Sequence, residues 1–146
     1  MPEPSPAKGD ASSSPRLPWW RRWFGTRSER AAAKYLKQLG YRIVGRNVRF
    51  TQGELDLVAV DGQCVVFVEV RSTEREDAFG PACSVGPEKQ RRLTNLAIAF
   101  LRRHRLLGHA ARFDVVTVCW PAQSRKPSIQ HFKNAFEAVG RLQMFR

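Results

Sequence analysis

The spacing of apolar positions changes several times along the chain, and each change predicts an element. From residue 26 to 39 the stripe Ala32, Ala33, Leu36 and Leu39 has helical period, with Thr26 and Glu29 set as a capping box and Gly40 as the stop. Tyr41 to Phe50 alternates loosely, as a strand does. Residues 54–60 and 63–71 read as two apolar strands joined at Asp61-Gly62, the strongest short hairpin signal. Residues 72–86 predict a loop, with Gly80, Pro81, Gly86 and Pro87 as breakers in or beside it; loops this long are often functional. Pro87 to Leu107 predicts a long helix, with proline at its first position. Leu93, Leu96, Ala97, Phe100 and Leu101 form its inward stripe, and Arg91, Arg92, Asn95, Arg102, Arg103 and Arg105 its outer face. Ala111 to Trp120 predicts another strand, and Ser128 to Phe132 a short last one. This order predicts an α/β fold with a central sheet flanked by helices.

The ends differ from this pattern. Residues 1–18 are rich in Pro, Ser and Ala and carry too little apolar surface to order themselves, so a disordered tail is expected. Residues 19–25, WWRRWFG, could stack on bases, lie at a membrane interface or fold back onto the domain, and the last is the preferred reading. One domain is therefore expected over 26–138, between tails at 1–25 and 139–146.

Charge narrows the partners. Lys and Arg number 25 against 13 Asp and Glu, a formal net charge of +12, which favours a polyanion, either nucleic acid or an anionic membrane. Cys64, Cys83 and Cys119 show no metal-ligand spacing; Cys64 and Cys119 fall in strand-like runs and read as buried free thiols, which suits a reducing compartment. No run of 18 apolar residues and no signal peptide is visible, so a cytoplasmic protein without a membrane span is expected.

The hairpin raises the chemical question. With Asp61-Gly62 as the turn, Val60 faces Gln63, Phe67 falls opposite Asp56, and Glu69 opposite Glu54. Alternation puts Glu54, Asp56, Val58, Val65, Phe67, Glu69 and Arg71 on one face and Leu55, Leu57, Ala59, Cys64, Val66, Val68 and Val70 on the other, the latter expected to be core. The four charges gather at the end away from the turn. Asp56 and Glu69 become diagonal neighbours, about 7 Å apart at the backbone, and such like charges require a cation: Arg71 or a divalent metal such as Mg²⁺. Glu29 heads the inward stripe of the first helix, either as the capping-box acid or as a further site acid, roles that are compatible if the helix start lies beside the site. Lys89 and Gln90 extend the Leu93 stripe back to the start of the long helix, where Lys89 could face phosphate or simply be solvated. Arg91 and Arg92 add charge beside them for a nucleic-acid backbone.

Asp56 followed by Glu69-Val70-Arg71 resembles the PD-(D/E)xK nuclease superfamily, in which an acid and an E-x-K on adjacent strands bind Mg²⁺ and activate water. More closely, the chain resembles the YraN family of small bacterial proteins, with a Holliday-junction-resolvase-like, restriction-endonuclease-like fold. The matching pieces are Glu29 with Ala32 and Tyr35-Leu36, GELDL at 53–57, VFVEVR at 66–71, Lys89-Gln90, RFDVV at 112–116 and Asn134-Ala135-Phe136, together covering about residues 27–137. The resemblance implies a mixed central sheet, Glu29, Asp56 and Glu69 as acids for Mg²⁺ or Mn²⁺, and Arg71 in place of the superfamily lysine. An arginine there can hold phosphate and stabilise charge but cannot release a proton. Asp114, in a strand, is expected to be structural. Three functions compete: a Mg²⁺-dependent endonuclease on branched or structured DNA, a nucleic-acid-binding module that kept the fold without cleavage, and a membrane-surface protein. The resolvase likeness also invites a two-fold homodimer.

Overall fold

The computed structural model describes residues 26–74 and 84–139. The N-terminal tail with WWRRWFG, most of the 72–86 loop including Cys83, and residues 140–146 lie outside it. The described elements are helix α1 (Arg27–Gln38), strands β1 (Arg42–Phe50), β2 (Gly53–Asp61) and β3 (Cys64–Thr73), helix α2 (Pro87–Arg103), and strands β4 (Ala111–Cys119) and β5 (Ser128–Phe136).

Both helices are closed by local chemistry. At the start of α1 both halves of the capping box form: Thr26 Oγ1 accepts from the Glu29 N–H and Glu29 Oε2 from the Thr26 N–H, each at 3.1 Å. It ends in a Schellman motif, where Tyr41 N–H donates to the Leu36 carbonyl and Gly40 N–H to that of Lys37. Helix α2 has Pro87 in its first turn, as expected, but ends at Arg103 rather than Leu107. There Arg105 takes the left-handed position (φ 57°), Leu106 N–H donates to the Leu101 carbonyl, and Leu106 turns back onto the core. A Schellman stop built on arginine carries no glycine to announce it.

The sheet is mixed, in the order β1-β2-β3-β4-β5, antiparallel except for the parallel β3–β4 pair that α2 connects. The hairpin turn is Gly62-Gln63, not Asp61-Gly62: Asp61 pairs with Cys64 and Val60 with Val65. Gly62, at φ 61°, occupies the first turn position, where the II′ hairpin requires positive φ. The register thus moves by two residues, an even number that leaves every side chain on its expected face. Strand β5 continues past Phe132 to Phe136 because it bulges: Val115 pairs with Phe132 but Phe113 with Phe136, and Asn134 between them is left-handed (φ 50°).

Each face of the sheet is core. Helix α1 covers Leu57, Ala59, Val66, Val68, Val116 and Val118 with Ala32, Ala33 and Leu36. Helix α2 covers Val58, Val65, Phe67, Phe113 and Val115 with Leu93, Leu96, Ala97, Phe100 and Leu101. The charge-bearing face of the hairpin is therefore apolar and buried along its turn half. Leu55 is buried as expected, but it packs with the α2 core rather than with Leu57 and Ala59, so strict alternation fails next to Asp56. Phe67 meets Phe100 edge-on, and removing a buried phenylalanine of this kind costs about 3–5 kcal/mol. No helix of the described residues is long and apolar enough to cross a membrane.

Candidate functional site

The site grows from the place where β2 and β3 stop pairing. Their ladder ends at Leu57–Val68, and just beyond it Asp56 Oδ2 accepts the Val70 N–H at 2.9 Å. The carboxylate thus takes the amide that a backbone carbonyl would otherwise receive. On the other side of β2 the pairs Val48–Leu55 and Arg46–Leu57 flank Asn47, which is left-handed (φ 48°) inside β1. Its side chain hydrogen-bonds Glu29. Two strand irregularities at one level of the sheet therefore bring Asp56 and Glu29 toward the same end.

The acids meet there. Glu69 is only 8 % exposed, and its carboxyl is in hydrogen-bonding contact with that of Asp56. Burial, and next the Glu69 charge, push the Asp56 carboxyl well above the usual carboxylate range, with Glu29 adding to the rise and the Val70 N–H opposing it. Burial also raises Glu29, against its hydrogen bonds from Thr26 and Asn47; the Glu54 and Glu69 charges contribute. The capping role and the site role of Glu29 coexist. Glu54 lies at the rim, paired with Arg49 at 3.3 Å.

The cations arrive from two directions. Lys89, in the first turn of α2, places its Nζ on Glu69 Oε1. Arg71 follows Glu69 on β3 and pairs across the parallel ladder with Thr117. Arg71 Nε and Thr117 Oγ1 are both buried without a hydrogen-bond partner among the described residues, an unsatisfied donor beside an unsatisfied hydroxyl. Of the other basic-side expectations, Gln90 uses its amide internally, donating to the Val85 carbonyl at 2.6 Å. Arg91 and Arg92 are exposed, and the Arg92 side chain lies beside Gly53, next to Glu54. A void of about 10 Å³, enough for one water, lies beside Asp56 and Glu69. Among the described residues no three His, Cys, Asp or Glu side chains are already arranged as a metal cage.

Asp114 lies elsewhere, in a second polar cluster. It accepts from Arg112 Nε at 3.0 Å and the Asn134 N–H at 3.0 Å, and its Oδ2 is 2.7 Å from His131 Nε2. Arg112 also donates to Asp61 at 3.0 Å and to the Tyr41 hydroxyl at 2.8 Å. Burial would push the Asp114 carboxyl up, but His131, Arg112 and the Asn134 amide together hold it below the usual range. The expected structural role is what the geometry shows. Cys119 is a buried thiol outside any disulfide, as expected, while Cys64 is half-buried.

Asn47 is the site residue that sequence reasoning missed. Its only signal was an asparagine after Gly45 in a stretch otherwise alternating as a strand.

Comparison with known proteins supplies the lineage. Residues 28–118 match the profile of "Uncharacterised protein family UPF0102". A UPF0102 protein of Syntrophus aciditrophicus is 45% identical over 122 residues, covering 80% of this chain and 91% of the relative. The UPF0102 protein GSU0650 of Geobacter sulfurreducens is 46% identical over 114 residues, covering 77% and 88%. One from Rhodopirellula baltica is 39% identical over 119 residues, covering 80% and 71%. The matched span holds Glu29, Asp56, Glu69, Arg71 and Lys89 together, and the chain belongs to the UPF0102 family, the YraN family that its motifs resemble.

Proposed function

We propose that the protein is a Mg²⁺- or Mn²⁺-dependent endonuclease acting on branched or otherwise structured DNA. The observation that carries this reading is the buried contact between the Asp56 and Glu69 carboxyls, with Glu29 alongside. Two carboxyls this close must share a proton or have a cation between them. The donor set fits a hard divalent ion, because it is all oxygen and anionic. Asp56 and Glu69 would hold the ion, with Glu29 in reach. Bound there, it would supply Lewis acidity to a phosphoryl oxygen and a nucleophile at neutral pH.

The chain's own side chains do the rest. Asp56 is fixed in place by the Val70 N–H. Lys89, held on Glu69, keeps an ammonium at the centre where negative charge develops on phosphate during in-line attack by water and departure of the sugar oxygen. Arg71 offers a planar donor to the phosphate but no proton to the leaving group. The basic surface retains the polyanion. Cys64 and Cys119, neither in a disulfide, suit a reducing cytoplasm.

A second reading has its own observation. Lys89 already neutralises Glu69, which favours a nucleic-acid-binding module that keeps the fold without cleavage. Supercoiled, linear and four-way-junction DNA, incubated with Mg²⁺ or Mn²⁺, separates the two. Cutting by the wild type that is lost in both Asp56→Ala and Glu69→Ala is the expected result. Binding without cutting under either metal establishes the module instead, and no DNA binding at low salt removes both readings.

A further inference from the structure

A basic groove lies on the other side of α1 from the acid centre. One wall is the outward stripe of α1, carrying Arg27, Arg30 and Lys34; the other is the β4–β5 turn, carrying Arg125 and Lys126, with Trp120 at one end. Its volume is about 550 Å³, and among the described residues no Asp or Glu lines it. No carboxylate among the described residues is paired with Arg27, Lys34, Arg125 or Lys126.

The groove has a built end. The Arg27 guanidinium stacks 3.7 Å over the Trp120 ring, and the Trp120 Nε1–H donates to Ser28 Oγ at 2.8 Å. Ser28 Oγ in turn bonds Ser72 Oγ at 2.7 Å. An arginine stacked on a fixed indole keeps its donor edge preorganised for a phosphate fork. Two further depressions, of about 440 and 300 Å³, share Arg27 and Trp120 with the groove. The larger reaches Glu74; the smaller reaches Ser72, the residue after Arg71. The concavity therefore runs from the β4–β5 turn, round the first turn of α1, to the end of β3. Arg27 and Lys34 stand about 10 Å apart along the helix, roughly three nucleotide rises of a duplex strand.

We propose that this groove is a nucleic-acid-binding surface, in which Arg27, Arg30, Lys34, Arg125 and Lys126 contact the sugar–phosphate backbone of a strand leading away from the acid centre. The proposal rests on the reading of that centre as one that acts on nucleic acid, and it names the surface that would hold the substrate. Arg27, Lys34, Arg125 and Lys126, none paired with a carboxylate among the described residues, match a polyanion, and the groove begins at the same helix end that presents Glu29.

The test uses the full chain and fluorescence anisotropy in EDTA with a labelled four-way junction and a labelled single strand, over a salt series. Lys34→Ala/Arg125→Ala/Lys126→Ala is compared with a control of equal charge change, Arg42→Ala/Arg46→Ala/Arg102→Ala, after both are checked for unchanged melting. The groove variant should lose about tenfold or more in affinity, and the slope of log K against log salt should shrink by about 2 to 3, close to one per lost phosphate contact. A groove variant that binds no worse than the control overturns the proposal. So does one that loses binding to phosphatidylserine vesicles while keeping DNA affinity, which would make the groove a lipid-headgroup surface. Cleavage is read separately with Mg²⁺ or Mn²⁺. Groove-dependent binding with no cutting leaves the groove and removes the nuclease reading; Asp56-dependent cutting with groove-independent binding does the reverse.

Discussion

Asp56 and Asp114 each accept a backbone N–H from a neighbouring strand where the regular ladder is interrupted, Val70 for one and Asn134 for the other. Their surroundings are opposite. Asp114 is enclosed by Arg112 and His131, and its charge is held on. Asp56 is enclosed by Glu69 and Glu29, and its charge is pushed off. The same backbone task is thus done once with electrostatic support and once against electrostatic opposition. A fold gains nothing in stability from the second arrangement, and opposition of that kind is characteristic of sites that handle ions or protons.

The largest effect that can test the contrast is at Asp114. Asp114→Ala should cost about 3–5 kcal/mol in urea unfolding, because it leaves Arg112, His131 and the Asn134 N–H without their shared acceptor. A loss below about 1 kcal/mol would mean that the cluster is not structural.

Next in size is the response to metal. Mn²⁺ at a hundredfold excess over its dissociation constant should stabilise the wild type by about 2.7 kcal/mol in calorimetry. Asp56→Asn and Glu69→Gln should abolish that gain, whereas Asp61→Asn, in the Arg112 cluster, should keep it. A shift that survives in the first two variants would place the ion elsewhere.

The smallest effect is the most diagnostic in sign. Asp56→Asn retains an acceptor for Val70 but removes the repulsion, so it should stabilise the protein at pH 7, by about 1 kcal/mol or less. A raised carboxyl binds more protons folded than unfolded, so its contribution is favourable below the unfolded value, near 3.8, and declines as pH rises through the folded one. The Asn variant's advantage should therefore be small in acid and grow toward neutrality. Asp114 has the other sign: its contribution is present above the unfolded value and is lost as pH falls through its lowered folded one. Melting curves of the wild type, Asp56→Asn and Asp114→Asn from pH 3 to 8 should show the two differences diverging with pH. Parallel curves would erase the distinction.

How far the sequence could be read follows from the range of each interaction. The capping box at Thr26 and Glu29 and the stripes of both helices are local patterns, and they were legible. The acid face of the hairpin was legible too, but only because the turn lay one residue later than expected, moving the register by an even number. The level meeting of Asp56 with Glu69 was not, since it depends on that turn. Left-handed Asn47, Arg105 and Asn134 were hidden, because these residue types enter that conformation when tertiary contacts repay it. For Lys89 the sequence leaves phosphate and solvent open; its pairing with Glu69 is revealed only by the packing of α2 on the sheet. The cations of α1 stood at helical spacing in plain view, but the opposite wall of their groove comes from a turn more than 80 residues away.

The irregular outer strands have a consequence for assembly. Strand β1 forms one edge of the sheet and β5 the other. Each is broken, β1 at Ile43–Gly45 and Asn47, and β5 opposite Phe113–Val115 at Asn134. Among the described residues, neither margin offers a long, flat row of free amides and carbonyls onto which another chain could zip. The kinks that aim Asn47 at Glu29 and Asn134 at Asp114 thereby also guard the protein against polymerising edge to edge.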